Sequence, residues 1–573
     1  MKIRRTLCAV VSPSALLVLL FSLLRLTSAN AAEDMLEFSV EEKVPVPLRD
    51  GIKLGAKIFR PKVEGKVPAL LVLRYFRGPH QDAWGEYYAR RGYAVALVDC
   101  RGRGDSQGKW VTAVNEPKDG YDTHEWLGTR PWCTGEIGTM DISYNGFTQL
   151  MPAPYASKHL KCMVPLECQQ TNFGHIYVDG IMQLNVVFQY GLHTQGRLAT
   201  AKIYDASDPF YRQLPLIDVV DKYPNVEHVK DWIRHARYDD YWKSYGIKEK
   251  YARIQAPAYF ITGWYDNLVH EGFRNFKGFR EQGGSRAARE GTKILVGPWI
   301  HGGSLGFSDL NEIQLRWYDH WLKHKDNGID TDPPIRIFVM GADVWRNENE
   351  WPLARTKFTK FHLGSQNGAN TAAGDGSLDR KPRPQNEKPD KFVYDPEDPV
   401  PTVGGQISTL VPGPLNRRKV QDRQDVLVYT TQPLTEDTEV TGPVELKLFA
   451  ASSAVDTDFT ATLSDVHPDG RAIIICEGVR GVSFRESLEH PTPIEPGKVY
   501  QYSISLWETS NVFKAGHRIR LEVSSSNFPR FARNQNTGLP FGTSAKIIKA
   551  EQTIYHDAEH PSHLVLPIIP RDK

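Results

Sequence analysis

Val67-Pro-Ala-Leu-Leu-Val-Leu73 is apolar without interruption. So is Tyr93-Ala-Val-Ala-Leu-Val98, after a helical stretch at Tyr88 to Arg91 that Gly92 stops. A strand with one wet face alternates apolar and polar residues. A strand with no polar residue must be covered on both faces, as parallel strands flanked by helices are. Two further units of this kind follow, Pro257 to Gly263 and Lys293 to Val296, and residues 309–324 read as a helix closing this half. These runs predict an α/β domain. A short β lead-in precedes it: Phe38-Ser-Val, Val44 to Leu48, a turn at Arg49-Asp50-Gly51, and Ile52 to Phe59.

The remaining chain divides around that domain. Between Cys168 and Pro257 lies a long stretch rich in aromatics, far longer than the roughly 2–6 residues of an α/β loop. It reads as an inserted, mostly helical cap over 170–250. From about residue 335 the character changes. Residues 364–420 are rich in Gly, Pro, Asn and Lys, and then strands alternate at period two, as in Val444-Glu-Leu-Lys-Leu448 and Ile519-Arg-Leu-Glu-Val523. That is the pattern of an antiparallel sandwich or jelly roll. The expected organisation is 1–31 a signal peptide, 32–169 and 251–330 the two parts of the α/β domain, 170–250 the cap and 331–573 the β domain.

The N-terminus carries the signal-peptide layout: basic Lys2, Arg4 and Arg5, an apolar run from Ala15 to Leu24, and Ala29-Asn-Ala31 as cleavage site. Arg25 cuts the run short of the ~20 residues that a membrane anchor needs. The chain is expected to be secreted or periplasmic, with no membrane attachment after cleavage. Removing residues 1–31 takes four of the 70 basic residues and none of the 68 acidic ones, leaving 66 against 68. A balanced charge gives no electrostatic case for nucleic acid. After Cys8 leaves, five cysteines remain, so at least one is unpaired or pairs between chains. No Cys/His cluster has zinc spacing, and neither a metal nor a cofactor is expected.

The strongest chemical signal is Asp141-Ile-Ser143-Tyr-Asn-Gly146 after an apolar strand end. A serine there, with glycine three residues on, suggests a nucleophile elbow, a strand–turn–helix that presents a hydroxyl at the top of the sheet. The usual glycine two residues before the serine is replaced by Asp141. A triad on such a fold runs Ser, acid, His. Asp266 follows the strand Ala258 to Gly263, and His301 follows Ile294-Leu-Val296, both at the strand ends where α/β sheets build sites. His301 would accept the Ser143 proton and Asp266 would hold the imidazole.

Other charged motifs have plainer readings. Arg101-Gly-Arg-Gly-Asp105 is a strand-to-loop turn. Asp119 and Asp122 cap the helix before Trp126. Trp317 to Trp321 form a packed helix face. His320 and His324 are surface histidines, and His124-Glu125 lacks a zincin's second histidine.

With these residues in place the chain resembles the serine hydrolases grouped around cocaine esterase and X-prolyl dipeptidyl-peptidase, the CocE/NonD family, which includes α-amino acid ester hydrolases. The matching stretches are Arg90-Arg-Gly-Tyr-Ala-Val95, Asp99-Cys-Arg-Gly-Arg-Gly-Asp-Ser106, Asp119-Gly-Tyr-Asp122 with Glu125-Trp126, Pro131-Trp132, Ser143-Tyr-Asn-Gly146, Gly263-Trp-Tyr-Asp266, Gly297-Pro-Trp-Ile-His301 and Trp317-Tyr-Asp-His-Trp-Leu322. They cover essentially residues 38–570. The resemblance implies an α/β-hydrolase domain with a helical cap and a C-terminal jelly roll of the galactose-binding-like type. It also implies an acyl-enzyme on Ser143 and an oxyanion hole built from the Tyr144 N–H and a tyrosine hydroxyl. That hydroxyl position falls on Tyr75, Phe76 or Arg77. Phe76 there would leave one donor missing, a loss of about 3 kcal/mol. Asp141 would oppose the oxyanion unless Arg74 or Arg77 offsets it.

Relatives acting on α-amino acid esters place carboxylates just after the catalytic acid. Here Asn267, Leu268, Val269 and His270 come first and Glu271 is the first carboxylate. The expected substrate is therefore a small-molecule ester or amide with an uncharged acyl group, with Tyr177, Phe188 and Tyr190 as candidate pocket aromatics. An X-prolyl peptidase would need an acidic amine anchor, for which Asp179 or Asp205 are the candidates. A catalytically weak relative acting as a binding protein is the other alternative. Assembly as a homo-oligomer is left open.

Overall fold

A computed structural model describes residues 35–571 except 195, 199–201 and 203. The expected signal peptide lies outside the described residues. Residues 38–348 build one ten-stranded sheet. Its strands are β1 (Phe38–Pro47), β2 (Lys53–Pro61), β3 (Val67–Arg74), β4 (Ala94–Asp99), β5 (Cys133–Ile142), β6 (Leu160–Leu166), β7 (Tyr259–Tyr265), β8 (Lys293–Ile300), β9 (Ile335–Val339) and β10 (Val344–Glu348), in the order β1-β2-β4-β3-β5-β6-β7-β8-β9-β10. From β4 to β9 all pairings are parallel, with antiparallel strands at both ends.

Every residue of β3 and β4 is buried. Leu70 and Val72 face a core with Trp84, Tyr88, Trp317 and Tyr318, from the helices Pro79–Ala89 and Leu310–Lys323. Leu71 and Leu73 face the opposite core, with Phe147 and Leu150 of the helix Tyr144–Leu150 and Phe276 and Phe279 of the helix Val269–Gln282. Period two with both faces covered is why these runs carry no polar residue.

The sheet runs past the boundary expected at 330/331. β9 pairs in parallel with β8, Ile294 opposite Ile335, and β10 closes the edge. The segment Ile335-Arg-Ile-Phe-Val339 alternates in burial because it lies near the sheet edge. That alternation reads like the start of the β domain that follows. Eleven further strands from Lys357 to Ile569 form the C-terminal domain around its own apolar core, antiparallel apart from the Ser377–Thr430 pairing.

The cap is built of short helices, among them Asn172–Ile176 and Glu227–Arg234, with a two-residue hairpin pairing Tyr177 with Met182. Its aromatic core takes in Phe528 and Ala532 from the β domain. Tyr177 and Phe188 belong to that core: Tyr177 OH donates to the Trp232 carbonyl and Phe188 stacks on Tyr211. The five described cysteines are buried free thiols. No helix among the described residues is long and apolar enough to cross a membrane.

Candidate active site

β5 ends in the turn that presents Ser143. The serine sits at φ +61°, ψ −127°, between the last residue of β5 and the first of the helix Tyr144–Leu150. Its N–H donates to the Leu166 carbonyl at 2.9 Å, and its own carbonyl accepts from Phe147 N, so the turn is tied to β6 and to the helix. Gly146 has a local reason: a Cβ there would stand 2.8 Å from the Leu166 carbonyl oxygen and 2.9 Å from Cys168 Cβ.

Two neighbouring strands bring the partners. His301 Nε2 lies 3.0 Å from Ser143 Oγ and His301 Nδ1 lies 2.9 Å from Asp266 Oδ1. Asp266 is fully buried and accepts from Leu268 N and the Thr262 hydroxyl. The ends of β7 and β8 can close on each other because Gly263 has no side chain; a Cβ there would meet the Trp299 carbonyl oxygen at 2.2 Å. Burial pulls the His301 pKa down, but the charge of Asp266, the hydrogen bond to it and the charge of Glu167 carry it above the ordinary histidine value.

Glu167 is a second carboxylate that motif reading passed over. It follows β6 directly, at φ +45°, and its Oε2 lies 3.6 Å from His301 Nδ1. It also accepts from Gly302 N and, at 3.2 Å, from Ser304 N in the loop after His301. Burial, and then the charge of Asp266, raise its pKa. A carboxylate at the end of an apolar run was the available signal.

Asp141 is neutralised otherwise than expected. Arg74 and Arg77 both bind Asp99 instead. The Asp141 carboxylate, fully buried, accepts from Gln81 Nε2 at 2.7 Å, its neighbour Ile142 N at 2.7 Å and Asn145 Nδ2 at 2.9 Å, with His80 Nε2 at 3.0 Å. Its backbone stands at φ +132°, which explains why glycine suits the position and what the carboxylate network must hold in place. Asn145 also accepts from Tyr75 N–H at 3.0 Å, so one amide links the elbow to the loop after β3.

Of the three candidates on that loop, Tyr75 lines the cavity beside Ser143, whereas Arg77 reaches Asp99 and Asp105 and Phe76 packs against His80. Burial, and then the neighbouring Tyr190, raise the Tyr75 hydroxyl pKa, so it stays a donor at neutral pH. Tyr144 opens its helix, where an N–H has no carbonyl four residues back. Its hydroxyl donates to the buried Glu116 and accepts from Ala113 N.

The cavity over Ser143 holds about 560 Å³ of space, mouth included. Its walls are aromatic: Tyr75 and Trp110 from the α/β domain, Tyr190 and Trp232 from the cap. Ser408, on a loop of the C-terminal domain, completes it. No carboxylate, lysine or arginine lines it among the described residues. Burial lowers the pKa of two of the three lining histidines, His175 and His228, to about 4, so these two are neutral at neutral pH. The hydroxyls of Thr112 and Ser408 are buried there without a partner among the described residues. Asp179 stands elsewhere, 3.5 Å from Arg480, and Asp205 caps an exposed turn at Ser207, so neither proposed amine anchor reaches Ser143. Glu271 is buried against Gln170 N and Arg274. Asp119 and Asp122 lie inside the helix Glu116–Gly128 and bind Arg101 and Arg49 rather than capping it.

A serine–imidazole–carboxylate relay at the C-terminal edge of a mostly parallel sheet defines the class: a serine hydrolase of the α/β-hydrolase fold. The model of the X-Pro dipeptidyl-peptidase (S15 family) matches residues 50–303, and that of the X-Pro dipeptidyl-peptidase C-terminal non-catalytic domain matches 327–565. Cocaine esterase of Rhodococcus sp. (strain MB1 Bresler) is 36% identical over 93% of this chain and 99% of its own length. Two solved structures share the fold at 23% identity. One is an aminopeptidase from the marine sediment archaeon Thaumarchaeota archaeon (TM-score 0.81, 94% of this chain and 97% of that one). The other is a selenomethionine-labelled α-amino acid ester hydrolase (TM-score 0.80, 95% and 98%). The chain belongs to the CocE/NonD family of hydrolases, which groups cocaine esterase with the S15 X-Pro dipeptidyl-peptidases.

The elbow yields a direct test of Asp141. Asp141→Ala keeps the unfavourable φ and leaves buried donors unpaired, whereas Asp141→Gly relieves the backbone. Urea unfolding is expected to show the alanine variant less stable than the glycine variant by about 1 kcal/mol or more, the reverse of the usual order. Equal stabilities would show that the backbone strain carries no weight.

Proposed function

We propose that this chain is an exported hydrolase of carboxylic esters whose acyl group is uncharged and aromatic or bulky, acting through an acyl-enzyme on Ser143. The observation that carries the reading is the cavity: aromatic walls beside Ser143 and no carboxylate, lysine or arginine among its described lining residues. A substrate ammonium would enter without a carboxylate counter-ion among the lining residues.

The relay geometry supports the steps. Ser143 Oγ attacks the ester carbonyl carbon while His301 Nε2 takes its proton, and Asp266 stabilises the imidazolium through Nδ1–H. The carbonyl oxygen, now anionic, accepts from Tyr144 N–H and the Tyr75 hydroxyl. The C–O bond to the alcohol breaks, and the alcohol leaves with the proton from His301. Water, deprotonated by His301, then attacks the acyl carbon, the bond from that carbon to Ser143 Oγ breaks to release the acid, and Oγ recovers its proton from His301. The basic, apolar and small-residue order of residues 1–31 supports export, and we read the C-terminal strands as a jelly roll.

Hydrolysis of p-nitrophenyl acetate, butyrate and benzoate is expected to be fastest, in kcat/KM, for the benzoate and to fall roughly 10⁴-fold or more in Ser143→Ala. Tyr75→Phe is expected to lower kcat about 10²- to 10³-fold with little change in KM. Faster turnover of X-Pro-p-nitroanilides than of any ester would overturn the substrate assignment.

Glu167 adds to the effect of Asp266 on the acidic limb, which follows His301. Its charge favours the imidazolium, so Glu167→Gln is expected to lower the His301 pKa. The acidic limb of the kcat/KM profile then moves to lower pH by about one unit, with the amide still accepting one loop N–H. An unmoved limb would assign Glu167 to holding the loop alone.

A further inference from the structure

In the C-terminal domain, outside the residues that line the Ser143 cavity, three ligand-type side chains converge on one face of a strand pair. The strands Asp458–Val466 and Arg518–Ser524 are antiparallel, with Asp465 opposite Ile519 and Val466 opposite Arg518. Carried one step further, that register sets His467 opposite His517. Strand periodicity puts Asp465 on the same face as His467, two residues away. The side chains meet accordingly: His517 Nδ1 lies 2.9 Å from Asp465 Oδ1, and the two imidazole rings are 4.4 Å apart between centroids. One ligand atom from each of the three residues falls within 4.8 Å of the other two.

We propose that Asp465, His467 and His517 bind a borderline divalent transition cation such as zinc. Two imidazoles and one carboxylate are a donor set that suits zinc and disfavours magnesium and calcium, which take oxygen. Ligands at zinc–nitrogen and zinc–oxygen distances near 2.0–2.1 Å and tetrahedral angles lie about 3.3 Å from one another, so the observed contact needs only a small opening. The cation replaces the proton that His517 and Asp465 share, and water fills the open positions. Asp465 is nearly buried while both histidines are half-buried, which leaves the ion an entry path. Arg471 approaches His467 Nδ1 at 3.4 Å but is held by Asp469 at 2.7 Å. The turn Pro468-Asp-Gly470 lies between His467 and Arg471, so the ion would clasp this turn to the start of the neighbouring strand. The two histidines are fifty residues apart in sequence and brought together by strand pairing, which is why no spacing motif announces the set.

The test uses the tag-free chain lacking residues 1–31, dialysed against micromolar zinc and then metal-free buffer, with bound zinc measured by mass spectrometry and affinity by competition with a chromophoric chelator. One zinc per chain is expected, together with a rise in thermal midpoint that EDTA reverses. His517→Ala is expected to weaken binding by at least the roughly 10- to 100-fold that losing an outer partner costs such sites, and His467→Ala/His517→Ala to abolish it. Ester hydrolysis, which none of the three residues touches, reports that the variants are folded. No bound zinc in the folded wild type overturns the proposal. So does zinc retained by the double variant with inhibition of ester hydrolysis, which would place the ion at His301, Asp266 and Glu167.

Discussion

Everything at this site depends on one turn that the backbone resists. Between β5 and the helix Tyr144–Leu150 the chain passes through φ +132° at Asp141 and +61° at Ser143, regions that cost a non-glycine residue on the order of 1–3 kcal/mol each. Against this stand four contacts to the Asp141 carboxylate, each worth about 1.5–3 kcal/mol when charge-assisted, less the several kcal/mol lost in burying a carboxylate. The opposing sums are of similar size. The carboxylate therefore fixes geometry more than it adds stability. Because Asn145 bonds both Asp141 and Tyr75 N–H, the serine and the candidate oxyanion tyrosine are set by the same constraint.

The remaining parts are assembled by adjacency. β5, β6, β7 and β8 are consecutive neighbours in the sheet, and Ser143, Glu167, Asp266 and His301 each follow or end one of them. Parallel direction puts all four at one edge, and the Gly263–Trp299 approach draws the last two together. What the sheet edge cannot supply is a lid. The cap brings Tyr190 and Trp232, the C-terminal domain brings Ser408, and the burial they create keeps His175 and His228 neutral.

Much of this is legible in the sequence. Strands without polar residues announce burial on both faces. The serine, acid and histidine were readable because each sits just beyond such a strand. Period two announced the β domain, although Ile335–Val339, alternating at the sheet edge, was indistinguishable from its first strand. The pocket walls were not legible. Tyr177, Phe188 and Tyr190 are equally aromatic and near in sequence, and only packing decides that two of them fill the cap core while one faces Ser143. Glu167 and Asn145 were missed because their partners lie on other strands or loops. The neutralisers of Asp141 were sought among arginines, the strongest charges nearby in sequence, but Asp99 holds both.

The cavity's chemistry selects more by exclusion than by attraction. Fully burying a phenyl-sized acyl group in aromatic walls gains about 1.5–3 kcal/mol over leaving it in water. Bringing an ammonium into the same space, with no carboxylate among the lining residues, forfeits several kcal/mol of hydration with nothing in return. The second quantity is the larger. Under the proposed function, discrimination against amino acid esters and X-Pro peptides would follow from what the cavity lacks, and improving the fit to an aromatic ring would change the preference less than placing one carboxylate within reach of the acyl α-carbon. The two unpartnered hydroxyls, Thr112 and Ser408, act on a smaller scale. An acyl group offering an acceptor to either would relieve a buried donor, a gain of about 1–3 kcal/mol, and through Ser408 the C-terminal domain lines the cavity as well.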